Sequence, residues 1–141
     1  MSKETKSIYH GTTQKDLDII KPFKRFTPGD EEVADSISPR IYASYVPTFA
    51  AAHSFPWSSE DGIDIVTEDG AVSILVPADK QSVLDQEICI YTLPDDTFIL
   101  TTEEETGLTY HTEQKIIPIK CDCYQSVIVA MEKLGGQIKL I

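Results

Sequence analysis

The chain of 141 residues has no long apolar run and few basic residues. A helix that spans a bilayer needs roughly 20 consecutive apolar residues, so we expect no membrane insertion. The 23 acidic residues outnumber the 12 basic ones and give a formal charge of −11. Non-specific binding to nucleic acid depends on Lys and Arg that neutralise phosphates, so we do not expect that kind of partner either.

Cysteine is also scarce, with Cys89, Cys121 and Cys123 as the only three. An odd number without framework spacing predicts reduced thiols. The first residues lack the apolar segment of a signal peptide, and both features together predict a cytoplasmic protein. A single residue separates Cys121 from Cys123, which is too close for the usual zinc-binding pair. We therefore expect no metal.

Patterns typical of common hydrolases are missing. There is no Gly-x-Ser-x-Gly, and no nucleophile stands beside His10, His53 or His111 in a recognisable arrangement, which argues against serine or cysteine hydrolase chemistry. No repeat, low-complexity tract or linker divides the chain. Its length suits one domain with a sizeable core, and we treat residues 1–141 as a single domain.

Short strands separated by turns dominate the second half of the chain. Helices are predicted at 14–20, at 48–55 and from a cap at Asp122 to Leu134, and a long surface loop is predicted at 21–39. The predicted strands are 8–11, 40–44, 63–67, 71–77, 88–93, 97–100, 108–112, 116–120 and 137–141. Hairpin signals such as Asp69-Gly70 favour antiparallel pairing. The pattern predicts an α+β fold of mostly antiparallel short-strand sheets with a few short helices.

The most informative stretch is Ser7-Ile8-Tyr9-His10-Gly11-Thr12-Thr13. A short buried strand here ends in a histidine, a glycine and two hydroxyl groups. Glycine lets backbone groups approach a ligand closely because it has no Cβ, and histidine offers a donor and an acceptor on a rigid ring. The stretch is typical of a site for a polar ligand, although a strand that simply ends in a polar turn has the same pattern.

A second strand, Arg40-Ile41-Tyr42-Ala43-Ser44, precedes the helix of small residues at 48–55. Together with Tyr9-His10-Gly11-Thr12, this order resembles the H-Y-E class of the ADP-ribosyltransferase superfamily. That class includes the diphtheria-toxin-like and poly-ADP-ribose-polymerase catalytic domains and the rifamycin ADP-ribosyltransferases. Its first strand ends in His-Gly-Thr or His-Gly-Ser, and its second carries Tyr before a helix rich in Ala and Ser.

The resemblance implies that NAD is the substrate and that ADP-ribose passes from it to an acceptor that the sequence does not name. It implies that His10 hydrogen-bonds the adenosine ribose of NAD. The backbone of Gly11 would pair with the nicotinamide carboxamide, and the hydroxyl of Thr12 would support a nearby ribose.

The resemblance also implies an aromatic pocket for nicotinamide. Tyr42 would form one wall, and an aromatic side chain from the helix side, Phe49 or Phe55, would form the other. Phe55 and Ser44, the latter from the strand that carries Tyr42, are counted among the cofactor-binding residues. Aromatic faces suit this ring because it is cationic in NAD.

Members of the class carry a glutamate at the start of a late strand, where it stabilises the oxocarbenium-like state that forms when nicotinamide leaves. The alignment of this chain puts Thr109 at that position. Glu113 shares a strand face with Thr109 and His111 and takes the role only in a different register, while Glu105 lies in the preceding acidic loop. His10, Tyr42, Thr109 and Glu113 are thus the candidate catalytic residues.

A catalytically silent member of the same fold, which binds NAD, another nucleotide or a protein partner, is the alternative function. A third member of the superfamily, the RNA 2′-phosphotransferase type, is disfavoured by the acidic charge and the few arginines.

Overall fold

A computed structural model of the chain describes residues 6–23, 39–57, 59–68, 71–102 and 107–141. The α+β class predicted from the sequence is confirmed. Within these ranges the chain forms nine short strands in three small sheets, together with two short α-helices. All strand pairs are antiparallel except one.

The elements follow one another in a mixed order along the chain. The strands are β1 (Ser7–Thr12), β2 (Ile41–Ala43), β3 (Asp64–Glu68), β4 (Ala71–Val76), β5 (Ile88–Pro94), β6 (Ile99–Leu100), β7 (Tyr110–Thr112), β8 (Lys120–Tyr124) and β9 (Gln137–Leu140). The helices are α1 (Pro47–Ala52) and α2 (Val127–Leu134), and 3-10 turns lie at Ser59–Asp61 and Ala78–Leu84. No helix in the described ranges has the length and apolar character required to cross a membrane.

The first sheet has the order β1-β5-β8, with β5 at its centre. Residues 88–93 are all buried, because each face of β5 packs on a separate hydrophobic cluster. Ile88 and Ile90 face a cluster that α1 and α2 contribute to, whereas Tyr91 and Leu93 face a second cluster with Ile8. This central strand fixes the position of β1 and therefore of the histidine motif.

Two further sheets flank the first. The order in one is β2-β7-β6, and Tyr9 and Ser44 exchange backbone hydrogen bonds of 2.8 and 2.9 Å that hold its edge beside β1. The other has the order β3-β4-β9, in which the predicted β3–β4 hairpin pairs antiparallel and β9 joins β4 in parallel. The ends of β1 and β2 thus come together beside α1.

The prediction of a helix at 14–20 is wrong. Asp16 has a φ of 56°, which a right-handed helix does not allow, and Ile20 pairs with Ile116 in an isolated β-bridge. The buried hydroxyl of Tyr91 donates to the Gln14 carbonyl and accepts from the Leu17 amide. Partners distant in sequence therefore take the backbone groups that a helix would have used.

The predicted start of the last helix is also wrong. Residues 120–124 form β8, displaced towards the C-terminus from the strand predicted at 116–120. The helix cap is Ser126, whose hydroxyl accepts from the Val129 amide at 3.1 Å, rather than Asp122. The predicted helix end is confirmed, since Gly135 adopts a left-handed φ of 90° at the C-cap.

The other predicted helix is shorter than expected. It spans Pro47–Ala52 instead of 48–55, with proline in its first turn, where the missing amide hydrogen costs nothing. The predicted loop at 21–39 lies mostly outside the described residues, which omit 24–38, and Glu105 lies outside them too.

The expectation of three reduced thiols is wrong for two of the cysteines. Cys89 on β5 and Cys123 on β8 form a disulfide, and Cys121 is a free, exposed thiol. Cys89 and Cys123 face each other directly in the β5–β8 register. Because 34 residues separate them in sequence, only strand pairing brings them together.

Candidate functional site

A cavity of about 340 Å³ opens where the ends of β1 and β2 meet α1 and β3. Its volume lies at the lower end of the 300–1,000 Å³ that small-molecule pockets typically occupy. The residues that line it are Tyr9, His10, Gly11, Phe23, Tyr42, Ala43, Ser44, Phe49, Ala50, His53, Trp57, Ile65, Thr67 and Thr109. His10 and Tyr42, the two residues that carry the resemblance, both line this cavity.

His10 is held by a direct contact with the second strand. Its Nδ1 lies 2.6 Å from the backbone carbonyl oxygen of Tyr42. A carbonyl oxygen can only accept, so Nδ1 carries the proton and donates it, and Nε2 of the neutral ring is an acceptor. The side chain is 6% exposed, and burial lowers its pKa, opposed in part by the hydrogen bond to Tyr42. The residue therefore stays neutral near pH 7.

Gly11 lines the cavity, and its missing side chain also has a structural reason. A Cβ at this position would lie 2.2 Å from the carbonyl oxygen of Ala50 and 2.7 Å from the Cβ of Ser54. The strand and α1 therefore approach each other more closely than any other residue type would permit. Glycine here sets the distance between two walls of the cavity.

Aromatic rings form much of the remaining wall. The ring of His53 lies 4.4 Å from that of Phe49 and 6.3 Å from that of Trp57, and Phe23 lies 6.3 Å from His10 between ring centroids. Lysine, arginine, aspartate and glutamate are absent from the described residues that line the cavity. Such a wall suits a flat ring that stacks.

Phe49, on α1, is the helix aromatic at the cavity. Phe55, the other candidate, is 4% exposed, packs in the hydrophobic cluster around α1 and α2, and is not among the residues that line the cavity. α1 ends at Ala52, so Phe55 lies beyond the helix that was expected to carry it. This corrects the assignment of Phe55 to the site.

Thr109 lines the cavity and is 7% exposed, whereas Glu113 is exposed and does not line it. β7 ends at Thr112, so the strand face expected to carry Glu113 stops before it. His111 is buried beside Tyr42, its direct partner in the β2–β7 register, and its Nδ1 lies 2.6 Å from the Thr101 hydroxyl oxygen.

The two remaining hydroxyls of the predicted site differ in position. Ser44 lines the cavity, and its Oγ accepts from the Val46 amide at 3.1 Å. Thr12 does not line it, and its hydroxyl accepts from the Gln14 amide at 3.2 Å. Thr12 thus stabilises the turn after β1, as expected for a strand that simply ends in a polar turn.

Sequence reasoning missed the far side of the cavity. Ile65 and Thr67 on β3, together with Trp57 and Phe23, line it without belonging to either motif. Nothing near them in the sequence marks a site, because Ile65 and Thr67 reach the cavity through the packing of the β3-β4-β9 sheet and Phe23 through its β-bridge with Arg40. Comparison of the chain with family models, curated proteins and solved structures finds no significant match.

Proposed function

We propose that the cavity binds the nicotinamide end of NAD and that the protein transfers ADP-ribose from NAD to an acceptor. The observation that carries this proposal is that His10, Tyr42 and Thr109 line one cavity. These residues come from three separate stretches of sequence and occupy the three positions of the H-Y-E pattern that the chain resembles.

The chemistry of the lining residues supports the choice of ligand. His10 offers an unprotonated ring nitrogen that accepts a hydrogen bond from a ribose hydroxyl, because its other nitrogen donates to the Tyr42 carbonyl. Tyr42 and Phe49 are aromatic residues of the lining, and an aromatic face attracts a cationic pyridinium. Gly11, Ala43 and Ala50 are small residues of the lining, which leaves room for a ring that carries a carboxamide.

Among the described residues that line the cavity there is no carboxylate of the kind that assists loss of nicotinamide in the class that the chain resembles. At Thr109 a hydroxyl can accept one hydrogen bond, but it cannot neutralise a developing cation. We therefore expect NAD to bind and to be cleaved slowly. This same observation favours the second candidate function, a catalytically silent module that binds NAD or another nucleotide, or a protein partner.

A cytoplasmic location is also part of the proposal, since NAD is an intracellular substrate in this scheme. Three reduced cysteines no longer support it, because Cys89 and Cys123 are paired. Cell fractionation with an antibody against the protein tests the location directly.

The experiment that tests the function combines calorimetric titration with NAD and a nicotinamide-release assay. Wild type is compared with Thr109→Glu and with Thr109→Gln, which matches glutamate in size but carries no charge. A positioned charge or donor at such a site is commonly worth about 3–4 kcal/mol, or about 10²–10³ in rate. We expect Thr109→Glu to accelerate nicotinamide release and Thr109→Gln to leave it unchanged.

Three outcomes separate the candidates. Absence of NAD binding to the folded wild type overturns NAD as the ligand of either candidate and leaves a module that binds another nucleotide or a protein partner. Binding without turnover in every variant selects the silent nucleotide-binding module. A clearly active wild type that loses activity in Glu113→Gln would show that the third position is Glu113 and that the cavity closes around it.

A further inference from the structure

Three cysteine sulfurs lie together on one face of the first sheet, outside the cavity. The Sγ atoms of Cys89, Cys121 and Cys123 all lie within 4.8 Å of one another, and those of Cys121 and Cys123 are 3.6 Å apart. No other group of three or more His, Cys, Asp or Glu side chains in the described part of the chain forms such a cluster.

The strand register explains the cluster. Cys121 and Cys123 are two residues apart on β8, so their side chains project from the same face. Cys89 on the neighbouring strand β5 is the direct partner of Cys123, and direct antiparallel partners hold their Cβ atoms about 4.5–5.5 Å apart. The spacing of Cys121 and Cys123 does not suit a zinc knuckle, but Cys89 on the neighbouring strand adds a third sulfur to this pair.

The disulfide within the cluster is accessible from one side. Cys89 is fully buried, but Cys123 and Cys121 are exposed. Because Cys123 is an exposed residue, we expect a thiolate to reach this disulfide from solvent, and exposed disulfides tend to be the labile ones. A dithiol reductant converts the disulfide into two thiols and is itself oxidised to a cyclic disulfide, which leaves three cysteine thiols side by side.

We propose that the reduced Cys89–Cys121–Cys123 cluster is a binding site for one thiophilic metal ion of the Zn²⁺ type. Binding replaces the three thiol protons by the metal, so one Zn²⁺ is taken up and three protons are released. A tetrahedral zinc with Zn–S bonds of about 2.3 Å places its sulfurs about 3.8 Å apart. The 3.6 Å between Cys121 and Cys123 already matches that separation.

Three protein ligands leave the fourth position of a tetrahedral ion open. Sites of this kind take a water molecule or an external ligand there, as catalytic and exchangeable zinc sites do. The oxidised cluster offers a single free thiol, Cys121, and therefore does not hold the ion. The site is thus controlled by the oxidation state of Cys89 and Cys123.

The test is a Zn²⁺ titration of the intact chain in competition with a chromogenic zinc chelator. A water-soluble phosphine serves as reductant because, unlike a dithiol, it competes little for zinc. The phosphine takes up the oxygen of one water molecule as the disulfide becomes two thiols. We expect reduced wild type to bind one equivalent of Zn²⁺ and to protect all three cysteines from alkylation. Oxidised protein should not compete with the chelator.

Cys121→Ser is the decisive variant because it leaves the disulfide intact, so its oxidised fold can be compared with wild type by circular dichroism. After reduction it should bind Zn²⁺ at least about 100-fold more weakly. Loss of a group that only hydrogen-bonds a metal ligand already lowers metal affinity about 10–100-fold, and Cys121 is itself a proposed ligand. Asp122→Asn is the matched control. Its carboxylate lies between the two cysteines in sequence but on the opposite strand face, and its removal should have far less effect.

Reduction could also loosen the fold, so binding must be linked to the folded state. Zn²⁺ should raise the thermal midpoint of reduced wild type, because an ion that binds only the folded chain stabilises it, and should not raise that of reduced Cys121→Ser. Equal binding by wild type and Cys121→Ser, equal binding by oxidised and reduced protein, or binding without a rise of the midpoint would each overturn the proposal.

Discussion

Replacing Gly11 by alanine tests the close approach of β1 to α1 that shapes the cavity. The new Cβ would lie 2.2 Å from the Ala50 carbonyl oxygen, which is 1.2 Å short of an ordinary 3.4 Å contact. Both partners are main-chain elements, so relief requires the strand and the helix to separate. Overpacking of this kind costs about 1–3 kcal/mol, and an overlap with rigid backbone belongs at the upper end of that range.

The assay is urea unfolding at equilibrium, together with a thermal scan. We expect Gly11→Ala to lose about 3 kcal/mol of unfolding free energy, which corresponds to a fall of roughly 10 °C in Tm for a domain of this size. Because Gly11 and Ala50 both line the cavity, ligand affinity should fall as well.

Gly136→Ala is the matched control. A Cβ there would lie 2.4 Å from the terminal Cε of Met131, a nominal overlap nearly as severe. The contact atom is the end of a flexible side chain, however, which can adopt another rotamer. This variant should therefore lose much less stability. Equal stability of the two alanine variants would refute the inference that β1 and α1 are held at a distance that only glycine allows.

Three further predictions rest on single contacts. Burial lowers the pKa of His10, so this residue binds a proton more readily in the unfolded chain. Wild type should therefore lose unfolding free energy as pH falls below about 6.5. His10→Gln should lose less, as urea unfolding of both proteins at several pH values measures. Reducing the Cys89–Cys123 disulfide should lower the unfolding free energy by about 3–4 kcal/mol, since it closes a loop of 34 residues, as denaturation with and without phosphine measures. The hydrogen bond to Asp95, with burial adding to it, raises the pKa of Tyr45 to about 12, so wild type should lose more stability than Tyr45→Phe as pH rises from 10 towards 12.

Local pattern alone was sufficient for several features of this protein. Alternation and turn residues located the β3–β4 hairpin and the buried strand β5, and Gly135 marked the end of α2. These features depend on neighbours in the chain, because pleat alternation, turn conformation and helix ends are set within a few residues. The order of the histidine and tyrosine strands along the chain likewise marks His10 and Tyr42 as candidate site residues.

Tertiary structure decided which segments far apart in the sequence contact one another. Residues 14–20 are apolar enough on one face for a helix, yet Tyr91 and Ile116 take their backbone partners. The same reason explains why Phe49 rather than Phe55 reaches the cavity, and why Thr67 lines it from β3. Cysteine spacing in the sequence could not indicate a three-sulfur cluster, because the pairing of β5 with β8 supplies Cys89. Contacts between segments far apart in sequence depend on which surfaces bury each other, and a pattern read along one segment does not contain that information.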